Sequence, residues 1–347
     1  MKKYLLFIIV ISFLFIAAAC GSNSSSSDEP TQLVISTWGY NEDLERKNII
    51  EPFEEEHNVE IILDTGNNSD RLNRVRLDSS QIDIIYLSDY FAMQAIEEGL
   101  FETIDRSNVP NIEDMYEILQ APLGEEYGPA YTVGMFGLAY DTAAAETPVT
   151  SWGDLWRDEF SNRLAMPEIT TTSGPMVVDF AAKQAGADPF DADLAFEKLQ
   201  ELSPNVLRFY GGSADLVNMF SQGEIIIGPT MDFAFDGIVD AVPTAELIIP
   251  DEGAYAYMNT INIVKGTENK ELAEKFINWA LSEELQTQNA IDGLNSPGNT
   301  LVELTEEQAE GLLYDSDVIE SLIVLDWELV NNELEAWTDR WNREIVE

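Results

Sequence analysis

Residues 82–91 read IDIIYLSDYF, and this run of isoleucines ending in polar and aromatic residues decides the fold. A short apolar run rich in β-branched residues predicts a strand buried on both faces, as in a parallel sheet. Two similar apolar runs come before it, at residues 33–37 and 59–64. Helical segments follow each of these runs, at residues 44–56 and 70–77. Strands that alternate with helices predict an α/β fold, with a parallel sheet covered by helices.

The same alternation starts again after Tyr140. Strands are predicted at residues 164–166, 225–228 and 261–264, and helices at residues 177–186, 192–202, 270–281 and 283–290. The chain has 347 residues, of which 45% are hydrophobic, and is therefore long enough to form two cores. We expect two α/β units.

The C-terminal segment shows a helical period. Its apolar residues recur three or four positions apart, at Trp327, Val330, Leu334, Trp337 and Trp341. A tryptophan stripe of this kind is compatible with binding a sugar or a partner. We favour packing of the stripe against the rest of the protein.

The N-terminus indicates the compartment. Lys2 and Lys3 precede an apolar run at residues 4–16, which is shorter than the roughly 20 residues of a membrane-spanning helix. Three alanines then lead to Cys20, a pattern that a lipoprotein signal peptidase accepts. Residues 1–19 are therefore predicted to be a signal peptide, with Cys20 as the lipidated first residue of the mature chain. The alternative is an ordinary signal peptide followed by a chance cysteine.

Residues 20–30 are predicted to form a tether between the lipid and the folded protein. The stretch is rich in serine and has little apolar surface to bury. Cys20 is the only cysteine of the chain, which excludes a disulfide and a catalytic thiol in the mature protein. We expect a monomer anchored at the outer face of the cell membrane, or a periplasmic protein.

Acidic residues dominate the composition. Asp and Glu number 64 against 18 Lys and Arg, which gives a formal net charge of −46 at pH 7. Nucleic acid and anionic membrane surfaces are poor partners for such a chain. The charge reflects either adaptation to a saline or alkaline habitat or a field that gathers cationic ligands. Because the acids are spread along the whole chain, we favour the first interpretation.

Ligands of open parallel sheets bind outside the carboxyl ends of the strands. Four predicted strand ends carry aromatic, hydroxyl or acidic residues, in the segments WGY at 38–40, SDYF at 88–91, TTTSGP at 170–175 and PTMDF at 229–233. Their occurrence in both halves predicts a shared ligand-binding cleft. The candidate residues from these segments are Trp38, Tyr40, Ser88, Asp89, Tyr90, Ser173, Met231 and Asp232.

Sequence signatures of catalysis are missing. The chain contains neither G-x-S-x-G, nor a P-loop, nor a His-x-x-x-His zinc pattern, and its only histidine, His57, lies at a charged helix end. We therefore predict that the protein is not an enzyme and that it uses no metal and no cofactor. A surface hydrolase is the minority alternative.

The chain resembles the spermidine/putrescine-binding type of ABC importer solute-binding proteins over residues 33–299. The resemblance rests on six segments: WGY at 38–40, IDIIY at 82–86 with Ser88 and Tyr90, SWGDLW at 151–156, QGE at 222–224, the stretch 253–262, and NKE at 269–271. The SWGDLW segment is the most specific of these, and the others gain weight from their order and spacing.

This resemblance implies a two-lobed periplasmic-binding-protein-like fold that closes on its ligand like a hinged trap. It consists of two parallel-core sheets flanked by helices and joined by two crossovers, placed at residues 136–138 and 258–259. Lobe 1 is predicted to comprise residues 31–136 and 259–300, and lobe 2 residues 137–258 and 301–347.

The resemblance also implies aromatic walls that enclose an aliphatic ligand and carboxylates that bind its ammonium groups. Trp38, Tyr40, Ser88, Tyr90 and Tyr257 fall on wall positions of the family. Where the family has acidic residues, this chain has Ser173, Met176 and Asn259, and where it has a tryptophan, this chain has Met231.

The function that follows is capture of a small polar solute, a polyamine or related amine, and its delivery to an ABC permease. A different small solute, such as an amino-acid derivative, is the alternative within transport. A surface sensor that binds ligand without import is the alternative from another class.

Overall fold

Nine strands alternate with thirteen α-helices in residues 30–39 and 41–346, the part of the chain that the computed structural model describes. The strands are β1 (Thr31–Thr37), β2 (Val59–Thr65), β3 (Ile84–Ser88), β4 (Ala130–Asp141), β5 (Leu164–Pro167), β6 (Val206–Tyr210), β7 (Ile227–Met231), β8 (Ala245–Ile248) and β9 (Tyr255–Ile263). The predicted signal peptide, Cys20, residues 21–29 of the tether and Tyr40 lie outside the described residues.

The α-helices lie mostly between the strands, as the alternating pattern predicts. They are α1 (Glu42–Glu45), α2 (Glu51–His57), α3 (Asn68–Leu77), α4 (Asp89–Glu97), α5 (Glu117–Gln120), α6 (Gly174–Gln184), α7 (Ala192–Leu202), α8 (Ser213–Ser221), α9 (Phe235–Ala241), α10 (Lys270–Ala280), α11 (Glu283–Ile291), α12 (Ser316–Ser321) and α13 (Trp327–Trp341). A π-helical turn, Arg46–Ile50, joins α1 to α2.

Two groups of parallel strands form the two ends of the sheet. The strand order is β2-β1-β3-β9-β4-β7-β5-β6, and β8 pairs with β4. β1 pairs in parallel with β2 and β3, and β5 pairs in parallel with β6 and β7. The predicted α/β fold with two parallel units is confirmed.

The long strands β4 and β9 join the two groups into one hydrogen-bonded sheet. They pair antiparallel, with Ala130 opposite Thr260 at one end and Phe136 opposite Tyr255 at the other. Residues 259–263 of β9 also pair with β3, whereas residues 136–140 of β4 pair with β7. The segments at which we placed the crossovers therefore lie within β4 and β9.

Each parallel group has its own core. In the first group, Leu33 and Ile35 of β1 pack with Ile84 of β3 and with the apolar residues of β9 and α10. In the second group, Leu164 of β5 packs with Phe180 of α6 and with residues of α7. The strands are covered on both faces, which explains their continuous apolar sequences.

The C-terminal residues pack on both groups. Ile319 of α12 belongs to the core of the first group. Trp337 and Trp341 of α13 contact Phe190 and Phe209, with 5.3 Å between ring centroids in each pair. The predicted packing of the tryptophan stripe is confirmed. Among the described residues, no helix has both the length and the apolar character that crossing a bilayer requires.

Candidate functional site

Three aromatic side chains form a corner at the carboxyl ends of β1 and β3. Trp38 follows β1, Tyr86 lies in β3, and Tyr131 lies in β4. The ring centroids of Trp38 and Tyr86 are 6.3 Å apart at an interplanar angle of 71°, and those of Tyr86 and Tyr131 are 5.1 Å apart at 81°. Edge-to-face contacts of this kind hold aromatic walls at a fixed angle to each other.

A fully buried guanidinium, that of Arg71 in α3, supports this corner. It donates hydrogen bonds to the backbone oxygens of Ser36, Gly66 and Tyr86 and to Oδ1 of Asn68. Its Cζ lies 4.6 Å from the centroid of the Trp38 ring, within cation–π distance. Burial lowers the pKa of Arg71 to about 10. Arg71 therefore fixes the ends of β1 and β3 and holds Trp38 in position.

The second parallel group contributes the carboxylate of Asp232, which already accepts several hydrogen bonds from the protein. The Tyr257 hydroxyl donates to Asp232 Oδ1 at 2.6 Å, and the backbone N–H groups of Phe233 and Met135 donate to the same carboxylate at 2.8 and 3.0 Å. Burial raises the pKa of Asp232, and the Tyr257 hydroxyl and the two amides act against this. Asp232 therefore ties the end of β7 to both β4 and β9.

Phe233 lies beside this carboxylate and is 65% exposed. Its ring contacts Tyr257 edge to face, with 6.0 Å between centroids. An aromatic ring that the protein leaves exposed beside buried polar groups is available to a ligand. Met231 is half-buried and packs against the core of the second group.

Ser88 and Asn259 lie opposite each other in the β3–β9 pair, and Asn259 also lies opposite Thr132 of β4. Directly paired residues project from the same face of a sheet, so these three polar side chains are neighbours. Ser88 is 4% exposed, and its hydroxyl has no hydrogen-bond partner among the described residues. A buried hydroxyl without a partner is a favourable contact for a polar group of a ligand.

Asp89 and Tyr90 point into the protein interior. Asp89 is 1% exposed and receives a hydrogen bond from the backbone N–H of Tyr90. Burial raises the pKa of Asp89 to about 7, against the effect of nearby backbone amides that include that of Tyr90. The Tyr90 ring packs on Trp327 at 5.5 Å and on Phe91 at 4.8 Å. The Tyr90 ring thus joins α4 to α13.

The polar groups of the turn before α6 form hydrogen bonds with one another. The hydroxyl of Thr171 accepts from the Gly174 amide at 3.1 Å and lies 3.3 Å from the hydroxyl of Ser173. Ser173 is buried, and Met176 is fully buried in the core of the second group. Neither position supplies a carboxylate to the site.

Glu45, at the end of α1, was not among the predicted site residues. Its Oε1 lies 3.5 Å from the hydroxyl of Thr37, the last residue of β1, and its Oε2 is buried without a hydrogen-bond partner among the described residues. Burial raises the pKa of Glu45 to about 7. Glu45 and Arg71 carry no distinguishing sequence signal, because the chain has many acids and because both lie in helical segments between strands.

The structure thus brings five predicted residues to the ends of the parallel strands: Trp38, Ser88, Asp232, Tyr257 and Asn259. Residues 30–39 and 41–346 contain no group of three His, Cys, Asp or Glu side chains placed to hold a metal ion. The arrangement consists of aromatic walls and single polar contacts, which suits reversible binding of a small solute.

Comparison with known proteins identifies related binding proteins. The chain is 25% identical to the spermidine/putrescine-binding periplasmic protein of Salmonella typhimurium over 276 residues, which cover 76% of this chain and 77% of that protein. It is 25% identical to a gamma-aminobutyric acid-binding protein of Pseudomonas aeruginosa over 285 residues, which cover 79% and 77%. The crystal structure of an ABC transporter protein from Clostridium perfringens superposes with a TM-score of 0.85 at 44% identity, covering 90% of this chain and 99% of that chain.

The family model of bacterial extracellular solute-binding proteins matches residues 48–312. This match contains most of both parallel groups and the two long strands between them. The chain belongs to the bacterial extracellular solute-binding protein family.

Proposed function

We propose that this protein captures a small aliphatic solute with one ammonium group and delivers it to an ABC permease. Binding a small polar solute for an ABC importer, without catalysis, is the role of this family. The main support for an amine ligand is the set of aromatic rings at the ends of the parallel strands. Such rings attract a cation at their faces and cover the apolar chain that bears it.

The relatives support an amine ligand. By their names, one binds spermidine and putrescine and the other binds gamma-aminobutyric acid. All three compounds combine an aliphatic chain with at least one ammonium group, and gamma-aminobutyric acid has only one.

A single cationic centre fits the site better than a polyamine. A polyamine needs several carboxylates, and this chain has Ser173, Met176 and Asn259 at positions where its resemblance to the family implies acids. Ser173 is engaged with Thr171, and Met176 is fully buried. Asp232 already accepts three hydrogen bonds from the protein.

In this proposal, Trp38, Tyr40, Ser88, Tyr257 and Asn259 contact the ligand. Met231 and Asp232 shape the side of the site formed by the second group. Asp89 and Tyr90 position α4 from the interior, and Ser173 shapes the turn before α6.

The protein is also proposed to be a monomer held at the outer face of the cell membrane by lipid on Cys20. The serine-rich residues 22–27 support this, because a lipid-anchored domain needs a flexible spacer. Its two lobes are proposed to be residues 31–136 with 259–300 and residues 137–258 with 301–347, joined through β4 and β9. Within the second of these sets, Ile319 of α12 packs in the core of the first group.

A ligand panel tests the proposed function. Purified mature protein is heated with gamma-aminobutyric acid, putrescine or spermidine, and hits are measured by titration calorimetry. A ligand at a hundred times its dissociation constant stabilises the protein by about 2.7 kcal/mol. We expect the largest shift with an amine that has one cationic centre. If no amine shifts the melting temperature and a sugar or a neutral solute does, the amine proposal is wrong.

A further inference from the structure

Glu45 lies beside the aromatic corner of Trp38, Tyr86 and Tyr131. Its Oε1 is 3.5 Å from the hydroxyl of Thr37, which immediately precedes Trp38. Burial raises the pKa values of Tyr86 and Tyr131 well above the usual range, and the negative charge of Glu45 adds to this increase in both. The charge of Glu45 thus acts on both phenols of the corner.

The carboxylate of Glu45 is poorly satisfied by the protein. The contact with Thr37 is long for a hydrogen bond, and Oε2 has no partner among the described residues although it is buried. A buried carboxylate oxygen without a donor is unfavourable, and a ligand that supplies the donor removes this penalty.

The nearby cation does not neutralise Glu45. Arg71 directs its N–H groups at three backbone oxygens and at Asn68, and its face lies against Trp38. In the part of the chain that the structure describes, the ion pairs include neither Arg71 nor Glu45. Arg71 thus lowers the pKa of Glu45 through its charge without contacting the carboxylate. The carboxylate can therefore still bind a cation directly.

The backbone at this point is also irregular. The helix is α-helical up to Glu45 and then forms the π-helical turn Arg46–Ile50 before α2 begins. π-Helical turns are rare and occur frequently at functional sites, because they change the direction of the side chains around them. This turn lies immediately after the carboxylate whose Oε2 has no donor among the described residues.

We propose that Glu45 binds the ammonium group of the ligand and is the residue that selects a primary amine. The inference rests on the proposed function of the site. It adds that the Glu45 carboxylate is the group that contacts the ammonium nitrogen of the ligand. An ammonium donates up to three hydrogen bonds, one of which reaches Oε2, while the rings of Trp38, Tyr86 and Tyr131 surround its other sides. The carboxylate comes from α1 in place of the acids that polyamine binding would require at positions 173, 176 and 259.

Proton linkage is a consequence of this arrangement. Burial and the neighbouring Glu42 raise the pKa of Glu45, whereas Thr37 and Arg71 lower it, and the resulting pKa is about 7. The phenols of Tyr86 and Tyr131 also face the site but remain protonated, since their pKa values are raised. Ammonium binding requires the ionised carboxylate, so the affinity falls by up to about tenfold per pH unit below this pKa.

Titration calorimetry of wild type, Glu45→Gln and Glu42→Gln tests the inference, with gamma-aminobutyric acid and putrescine as probes. The exposed Glu42 is the matched control, because it lies on the same short helix and contacts Arg46 rather than the aromatic corner. We expect Glu45→Gln to weaken binding about 10-fold to 100-fold, as loss of a charge-assisted hydrogen bond does. Glu42→Gln should change the affinity less than threefold.

Two further measurements separate recognition by Glu45 from an indirect structural effect. At pH 6, calorimetry in two buffers of different ionisation enthalpy should show proton release on binding by wild type and much less by Glu45→Gln. The N,N,N-trimethyl derivative of gamma-aminobutyric acid lacks N–H groups, so wild type should discriminate strongly against it relative to gamma-aminobutyric acid and Glu45→Gln should not. The melting temperature of each variant reports whether the fold is preserved.

The outcomes distinguish the inference from the function on which it rests. If neither probe binds wild type, the proposed function and this inference both fail. If a probe binds wild type and Glu45→Gln with the same affinity and the same proton release, the function stands and the assignment of Glu45 is wrong.

Discussion

Gly134 and Tyr257 lie opposite each other in the β4–β9 pair, and the space that a side chain would occupy at Gly134 is filled by the Tyr257 ring. A Cβ at position 134 would be 2.1 Å from the Tyr257 Cζ and 2.2 Å from its hydroxyl oxygen. The glycine therefore allows the ring to lie across β4 and its hydroxyl to reach Asp232.

Gly134→Ala tests this relationship. The new methyl group must displace the Tyr257 ring and break its hydrogen bond to Asp232, so we expect a loss of about 1–3 kcal/mol in stability together with weaker ligand binding. Denaturant unfolding and calorimetry measure the two effects. Gly212→Ala is the control, because Gly212 has extended backbone angles and nothing within 4 Å of an added Cβ. An unaltered affinity in Gly134→Ala would show that the ligand does not depend on the position of Tyr257.

Trp38 and Tyr90 are predicted to respond differently to replacement by alanine. Trp38 is a half-exposed wall of the aromatic corner, so Trp38→Ala should weaken binding of a cationic ligand by about 1–3 kcal/mol. Tyr90 is buried against Trp327, so Tyr90→Ala should mainly lower the free energy of unfolding, by about 3–5 kcal/mol. Unfolding and binding curves of both variants give the comparison. The opposite result, a stable Tyr90→Ala without affinity, would place Tyr90 in contact with the ligand.

Asp89 should make the protein less stable as the pH rises. Its pKa is raised to about 7 in the folded state, so between about pH 4 and pH 7 the folded protein binds more protons than the unfolded chain. The free energy of unfolding therefore falls across this window, by up to about 4 kcal/mol from this group, and becomes independent of Asp89 above it.

Urea unfolding at several pH values checks this expectation. Asp89→Asn should have a shallower decrease in stability between pH 5 and pH 7 than wild type. Asp292→Asn is the control, because contacts with Lys47, Gln288 and Asn48 lower the pKa of Asp292 to about 2, outside the window. Equal slopes in wild type and Asp89→Asn would mean that Asp89 is ionised in the fold at pH 5.

Cys20→Ser tests the lipid anchor. Without a thiol at this position no thioether to lipid forms, so the variant should remain unprocessed or be released from the membrane. Cell fractionation and metabolic labelling with palmitate report the outcome, with an unmodified parent strain alongside. Labelling of the variant at the parent level would exclude Cys20 as the lipidation site.

Spermidine should bind weakly. The chain has no acid at positions 173, 176 and 259, and loss of even two charge-assisted hydrogen bonds weakens binding about a hundredfold or more. Asn259→Asp should shift the preference towards polyamines, because Asn259 lies beside Ser88 in the sheet at the end of β3. Calorimetry of wild type and Asn259→Asp with spermidine tests both expectations. A submicromolar dissociation constant for wild type would contradict the prediction of weak binding.

The strands of the parallel groups were predictable because burial on both faces leaves a local sequence signal. β1, β2, β3 and β5 appear within about two residues of their predicted positions. β4 was not predicted, because Gly134 and Gly137 interrupt its apolar residues and glycine in a strand normally argues against it. β6 and β8 were missed as short strands, and β9 begins at Tyr255, six residues before its predicted start.

By itself, the sequence determined the α/β class and the resemblance to solute-binding proteins, and it indicated the strand ends at which we propose that a ligand binds. These properties depend on short stretches of chain and on the periodicity of apolar residues. Only the tertiary structure decided which polar groups lack partners, since this depends on segments distant in sequence. Trp327 packs on Tyr90 from more than two hundred residues away. Glu45 stands out from the other acids only because folding removes its oxygen from water without providing a donor.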